Sequence, residues 1–530
     1  MTLLVYDTTL RDGAQQEGLL FSVEDKLRIV TLLDELGVDY IEGGWPGSNP
    51  TDGLLFERAQ ELGLRQAKLA AFGCTRRADR HAEDDAGLRA LLAADTPVVT
   101  VFGKSAPVHV RHVLATSLEE NLRMIGDTVA FLVDAGREVV FDAEHFFDAF
   151  REDAGYAMDT LHAASDAGAA TIVLCDTNGG TLPHELGEIV EFAHRRTVSP
   201  IGIHAHDDAG VAVANSLAAV ERGATHVQGT INGYGERCGN ADLCALLPTL
   251  VLKLGEDCRA ADSLPALSGL SAAIGEIANC RPDAQRPYVG ASAFAHKGGM
   301  HIDAVAKCPH SYQHIDPRSV GNRTRTLVSS VSGRASLRVK AEELGLRMPS
   351  FAGKHLDAEL VSKIKHLEHL GFQFEGADAS VELLIRRLDP DYAAPFRLDD
   401  FHVLVQGHPD GGMRADASVK VVCGQEQSQT AADGNGPVNA LDAAVRKALE
   451  PSFPKIGDVR LADYKVRILD AESGTAAKTR VLVTSTDGQR RWCTVGCGTN
   501  IIEASWLALA DAYEYALVAL PAACGERTGR

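Results

Sequence analysis

Eight times in the N-terminal half of the chain a short β-branched, apolar run is followed by an amphipathic stretch, and this alternation restricts the fold more than any other feature. The runs are Leu3–Thr8, Tyr40–Gly44, Lys68–Gly73, Val98–Gly103, Glu138–Glu144, Thr171–Thr177, Ile201–His206 and His226–Asn232. Helical segments lie between them, such as Ser22–Leu36. There Ser22 is placed to cap the N-terminus, Glu24 and Asp25 fall in the first turn, and Gly37 is placed to end the helix. Eight strands alternating with helices over roughly 250 residues match the count and length of a (β/α)8 TIM barrel. A doubly wound open α/β sheet is the alternative.

The placement of chemically loaded residues favours the barrel. Arg11 and Asp12 follow the first run and Glu42 lies in the second. Lys104 and Ser105 follow the fourth, and Glu144 and His145 close the fifth. Asp176 and Thr177 end the sixth, His204 and His206 the seventh, and Asn232 the eighth. In a barrel these C-terminal ends converge on one mouth, where such folds carry their sites. Polar residues placed by chance would occupy both ends.

His204 and His206 sit two apart in a strand and so face the same side, where both imidazoles can meet one metal ion. Alone the pair is a weak signal, since two solvated or core histidines look the same. Asp12 is the natural third ligand, giving a mixed nitrogen and oxygen site that suits Zn, Mn, Co or Mg. Arg11 would aim a fork of donors at an anionic or polarised oxygen, unless it is only the ion-pair partner of Asp12. The loop Asn232–Asp242 is glycine-rich, and Gly239-Asn240 is a candidate ligand or supporting position.

Length and charge bound the rest. A chain of 530 residues calls for two or three domains. Its formal net charge of −20 argues against nucleic acid or an anionic membrane as the main partner, while leaving room for a local basic pocket. The 11 cysteines include no CxxC pair, so neither a zinc ribbon nor a disulfide framework is indicated. The N-terminus lacks a basic region followed by an apolar stretch, and no apolar run is long enough to span a bilayer; a cytoplasmic protein is expected.

Three motifs carry a resemblance: DTTLRDGAQ (Asp7–Gln15), IGIHAHDDAGVAVANSLAAVERGA (Ile201–Ala224) and GTINGYGERCGNA (Gly229–Ala241). In this order they resemble the DRE-TIM metallolyase superfamily, and more closely its 2-isopropylmalate, homocitrate and citramalate synthases. The resemblance implies a divalent metal held by Asp12, His204 and His206, with Asn240 completing the site directly or through water. It implies that Arg11 holds a 2-oxo group and stabilises oxyanion charge. Glu42 matches the glutamate of strand 2 and is a candidate substrate contact, and Glu144 matches the strand 5 glutamate near the substrate, a candidate catalytic and substrate-binding residue. Thr177 matches the hydroxyl on the substrate carboxylate, and Lys104 is a candidate contact to substrate or to CoA phosphates. His301 and Tyr312 match the linker residues that reach over the mouth, His301 as base and Tyr312 orienting it or protonating an alkoxide.

Departures from the commoner pattern bear on substrate. Ala14 stands where isopropylmalate synthases have Glu, Trp45 where Phe is usual, and the fourth and fifth runs end TVFGKS and VVFDAEHFFDAF. All resemble the citramalate branch, whose implied reaction condenses acetyl-CoA as co-substrate with pyruvate. The alternatives are another 2-oxo acid, as in isopropylmalate or homocitrate synthases, or a catalytically decayed effector-binding regulator.

Three segments are expected: a barrel over 1–262, a helical linker and lid over 263–391, and an α+β module over 392–530. Lys354–Leu370 reads as an amphipathic helix and Asp389–Phe396 as a linker. The last segment repeats itself: Ala417–Cys423 and Arg480–Thr486 each precede a turn and a second strand, and then a helix, over Gly434–Leu449 and Gly498–Tyr513. This resembles the regulatory LeuA-type domain of the same synthases, which implies a homodimer and an amino-acid effector, isoleucine.

Overall fold

The eight apolar runs form parallel strands that close into a barrel, in sequence order, in a computed structural model that describes residues 2–351, 354–407 and 411–519. The strands are β1 (Leu4–Asp7), β2 (Tyr40–Gly44), β3 (Lys68–Cys74), β4 (Val98–Lys104), β5 (Glu138–Glu144), β6 (Thr171–Asp176), β7 (Ile201–Ala205) and β8 (His226–Gly229). Closure runs from Leu4 opposite His226 to Asp7 opposite Gly229. Every residue of β2, β6, β7 and β8 is buried. One face meets the barrel interior and the other the surrounding helices, so the runs read as continuous apolar stretches rather than alternating ones.

Local signals hold where they were strongest. In the helix Val23–Leu36, Ser22 accepts from the N–H of Asp25 and the Asp25 side chain accepts from that of Ser22; Gly37 closes the helix at φ 88. The eighth run is shorter than its sequence suggests. β8 stops at Gly229, and Asn232 lies in a turn at φ 65. Ser271 fixes that turn, its hydroxyl donating to Asn232 Oδ1 at 2.6 Å and its carbonyl accepting from Nδ2 at 3.0 Å. The helix expected from Lys354 starts at Asp357, because Lys354–His355 pairs with Ser350–Phe351.

The chain divides into two units, Met1–Phe294 with His314–Arg323, and Ala295–Gln313 with Thr324–Arg530. Residues 520–530 of the expected third segment lie outside the described residues. The second unit contains two three-stranded antiparallel sheets, each followed by a helix. One is Arg397–Gly407, Met413–Cys423 and Glu426–Gly434, with helix Pro437–Leu449; the other is Arg460–Ile468, Thr479–Thr486 and Arg491–Gly498, with helix Ile501–Ala519. Equivalent bonds recur in the two copies: Thr430 Oγ1 donates to Ala444 O at 2.7 Å and Thr494 Oγ1 to Ala508 O at 2.6 Å. The sequence shows two strands per copy and misses the first. Arg397–Gly407 and Arg460–Ile468 are sheet edges, exposed along most of their length, and carry no steady apolar face. No helix among the described residues is long and apolar enough to cross a membrane.

Candidate active site

The turn after β1 is built from its own side chains. Asp7 accepts from Thr9 N at 2.9 Å and from Thr9 Oγ1 at 2.8 Å, and Thr9 Oγ1 accepts from Ile231 N at 2.9 Å. This ties the turn to the segment after β8 and presents Asp12 to the barrel mouth. His204 comes from β7, and His206 lies just beyond its end. His204 Nε2 is 3.3 Å from His206 Nε2 and 3.4 Å from Asp12 Oδ2, and His206 Nε2 is 4.0 Å from the same oxygen. All three are buried.

Behind His204, Nδ1–H donates to Gln228 Oε1 at 2.9 Å, and the Gln228 amide donates to Asp142 Oδ1 at 3.2 Å. That bond leaves the His204 Nε2 lone pair facing Asp12 and His206. Asn240 Nδ2 donates to Asp12 Oδ1 at 3.3 Å and to Tyr234 O at 2.9 Å, while its Oδ1 is buried without a hydrogen-bond partner among the described residues. Burial by itself would raise the pKa of Asp12, but Arg11 and His204 hold it below the usual carboxylate range. Burial, then the neighbouring His204, lowers His206 to about 4. A carboxylate, a neutral imidazole, a second imidazole with its tautomer fixed and an unpaired amide oxygen fit a divalent cation. The loop bringing Asn240 there needs glycine: Gly239 has φ 93, and a Cβ on it would sit 2.1 Å from Gly233 O.

Arg11 is fixed on three sides. Its Nε donates to Glu42 Oε2 at 2.6 Å, its Nη1 to Asp12 Oδ2 at 3.1 Å, and its guanidinium carbon lies 3.7 Å from the centroid of the Phe72 ring. Glu42, expected to touch substrate, is fully buried and does not line the cavity. It accepts from Tyr6 Oη at 2.7 Å, from Thr8 Oγ1 and from Arg11, so its contacts serve to orient the arginine.

A cavity of about 260 Å³ opens over these groups, and Arg11, Asp12, His204, His206, Glu144 and Thr177 all line it. Trp45, Phe72 and Phe102 form its apolar wall, their ring centroids 5.5 to 5.8 Å apart. The Trp45 backbone N–H donates to Asp52 Oδ2 at 2.8 Å, and Asp52 is paired in turn with the buried Lys26. Glu144 pairs with Lys104. Thr177 Oγ1 accepts from His145 N at 2.8 Å. Not every strand-end residue turns to the mouth. Ser105 is buried against Thr160, Asp176 is taken up by Thr181, and Asn232 lines a separate cavity. His301 and Tyr312 belong to the second unit, where their rings stack with centroids 4.2 Å apart.

Sequence reading misses Asp142, Gln228, Phe72, Phe102 and Arg237. Asp142 also lines the cavity, and burial, then the charge of Glu42, pushes its pKa up to about 7. The signal was there: Asp142 stands two residues before Glu144 on one strand and shares its face. Arg237 donates to Thr177 O at 2.8 Å while paired with Asp208.

Residues 2–259 match the HMGL-like family, residues 288–370 the homocitrate synthase post-HMGL domain-like family and residues 375–517 the LeuA allosteric (dimerisation) domain. The chain is 49% identical over 514 residues to an (R)-citramalate synthase of Geobacter sulfurreducens, covering 97% of each chain. It is 49% identical over 519 residues to an (R)-citramalate synthase of Aquifex aeolicus, again covering 97% of each. A 2-isopropylmalate synthase of Pectobacterium atrosepticum is 31% identical over 519 residues, covering 96% of this chain and 92% of that one.

Proposed function

The chain belongs to the (R)-citramalate synthase family, and from that premise we propose that it condenses acetyl-CoA with pyruvate and hydrolyses the thioester, releasing citramalate and CoA. The observation that carries the reading is one buried site in which Asp12, His204 and His206 meet Arg11 beside a wall of three aromatic rings. The reaction is an acyl transfer in which the acetyl group becomes an alkyl branch.

The carboxylate of pyruvate would bind at Thr177, whose oxygen already accepts from His145 N and whose hydroxyl proton is therefore the group left to donate. Arg11, held by Glu42 and Phe72, presents its remaining guanidinium N–H groups to the keto oxygen and stabilises the alkoxide that forms there. Trp45, Phe72 and Phe102 limit the alkyl group, which favours a methyl over an isopropyl. Such discrimination is worth only ~1–3 kcal/mol, so slower turnover of 2-oxobutyrate is expected. When bound by Asp12, His204, His206 and Asn240, a divalent cation supplies Lewis acidity to the 2-oxo acid.

A base takes a proton from the acetyl methyl group, and the resulting carbanion attacks C2 of pyruvate. His301 is the proposed base, with Tyr312 stacked on it to orient it. The alkoxide is then protonated, and water cleaves the C–S bond to give the carboxylate and free thiol. The LeuA-type segment supports a homodimer and a regulatory role, with isoleucine as the proposed effector.

The test is CoA-thiol release from acetyl-CoA with pyruvate, 2-oxobutyrate, 2-oxoisovalerate or 2-oxoglutarate, each with and without EDTA. Chelator-sensitive release fastest with pyruvate is the expected result. Faster release with 2-oxoisovalerate or 2-oxoglutarate would move the chain to the isopropylmalate or homocitrate reaction, and no release with any would refute the acyl-transfer reading.

A further inference from the structure

Three neighbouring loops each carry one group of the candidate site: Thr177 follows β6, His206 follows β7, and Asn240 lies on the loop after β8. Backbone bonds join these loops in pairs. Ala209 N donates to Gly179 O at 3.0 Å, linking the loops after β7 and β6, and Asp207 N donates to Gly239 O at 3.0 Å, linking those after β7 and β8. One side chain reaches across all three. Arg237 donates from Nε to Asp208 Oδ1 at 2.8 Å and from Nη2 to Asp208 Oδ2 at 2.9 Å, and the same Nη2 donates to the Thr177 carbonyl at 2.8 Å. The loop after β6 leaves room for the pair: Gly179 has φ 61, and a Cβ on it would sit 2.5 Å from Asp208 Oδ2.

Stability does not account for this arrangement. The Arg237 side chain is 43% exposed and that of Asp208 25%, and an ion pair so open to water adds little to the fold. The Arg237 backbone is left-handed, at φ 55, a conformation that disfavours any residue with a Cβ. Backbone strain of this kind collects at functional sites, and Arg237 and Thr177 both line the reaction cavity. The clasp has two loads. The Thr177 peptide, whose hydroxyl is the group offered to the 2-oxo acid carboxylate, cannot turn without breaking its bond to Nη2. Asn240 follows Arg237 on the same short loop, so anchoring the guanidinium limits where its amide can sit. Displacements of about 1 Å at such positions are enough to cost turnover heavily.

We propose that Arg237 is a positioning residue: by gripping Asp208 and the Thr177 carbonyl together, it keeps the carboxylate-binding hydroxyl and the Asn240 loop in register with His206. The assignment rests on the acyl-transfer reading above, and deepens it by naming what holds the 2-oxo acid subsite in shape.

Steady-state kinetics and Mn binding of the full chain test it, comparing wild type with Arg237→Gly and Arg237→Lys. Glycine suits the left-handed backbone, so that variant removes the guanidinium without straining the loop. Its KM for pyruvate is expected to rise at least about tenfold while its KM for acetyl-CoA stays within about twofold of wild type. Its Mn affinity, read by competition with a chromophoric chelator, is expected to fall about tenfold. Lysine, which has a single ammonium to reach one of the two acceptors, should recover part of both losses. Equal pyruvate KM values in wild type and the glycine variant overturn the proposal. An equal rise in both KM values, accompanied by a lower thermal midpoint, marks a general loosening of the fold and overturns it too. If wild type releases no thiol with any 2-oxo acid, the acyl-transfer reading fails by itself. Mn affinity then decides the clasp, a fall of about tenfold upholding its hold on the Asn240 loop and an unchanged value overturning it.

Discussion

His204 can offer Nε2 to a cation only while its proton sits on Nδ1, and that proton is held by Gln228 Oε1 at 2.9 Å. Gln228 is in turn oriented by Asp142, since its amide donates at 3.2 Å to that carboxyl. His206 has no such support, its Nδ1 being without a partner among the described residues. The two imidazoles are therefore unequal, and the ordering of the cluster depends on the one that is tied. Supporting partners of metal-ligating histidines typically change affinity by about 10–100-fold when removed. Gln228→Leu should weaken Mn or Zn binding by that order, while Gln228→Glu, which keeps an acceptor for Nδ1–H, should hold affinity near wild type. Competition with a chromophoric chelator measures this directly. Equal affinities in Gln228→Leu and wild type would mean that the tautomer is fixed by something else.

Among the elements, the barrel interior contains one arrangement that weakens it in acid. β1, β2 and β8 bring Tyr6, Tyr40 and His226 together, the imidazole 5.4 and 5.6 Å from the two rings. His226 is fully buried, neither of its ring nitrogens has a hydrogen-bond partner among the described residues, and burial pushes its pKa down to about 3. An unfolded chain takes up that proton near pH ~6.5, so below this the unfolded state binds a proton that the barrel refuses. Stability is then lost as pH falls from ~6.5 towards the folded value, at about 1.4 kcal/mol per pH unit. His226→Leu should remove this slope, making the variant about 2 kcal/mol less sensitive than wild type to a shift from pH 7 to pH 5. Urea unfolding midpoints at the two values check it, and parallel losses in both proteins would refute it. The same elements show what a sequence can and cannot tell. β2, β6 and β7 were legible because strands buried on both faces leave unbroken apolar runs. The end of β8 was not, because the left-handed conformation of Asn232 depends on Ser271, which is distant in sequence. The cluster of Asp12, His204 and His206 was legible from strand spacing together with the resemblance. The role of Glu42 was not, because nothing in IEGG says that its carboxylate faces Arg11, Tyr6 and Thr8 rather than the cavity.

At the level of the whole chain, the candidate residues are divided between two units. Asp12, His204, His206 and Arg11 lie in the first, and His301 and Tyr312 in the second, together with the segment that matches the LeuA allosteric domain. An effector bound to that segment would act on the unit that carries the proposed base, and would alter turnover without entering the barrel mouth. If it does so by favouring a state with lower substrate affinity, linkage requires reciprocity: the factor by which isoleucine weakens pyruvate binding is the factor by which pyruvate weakens isoleucine binding. Coupling of this kind is typically ~1–3 kcal/mol, or about 5–150-fold. Isoleucine is therefore expected to inhibit thiol release more strongly than leucine, and its calorimetric affinity should fall by a matching factor when pyruvate is saturating. Equal inhibition by the two amino acids, or by neither, would remove isoleucine as the effector. Inhibition without any mutual change in affinity would leave isoleucine in place and locate its action at a step other than pyruvate binding.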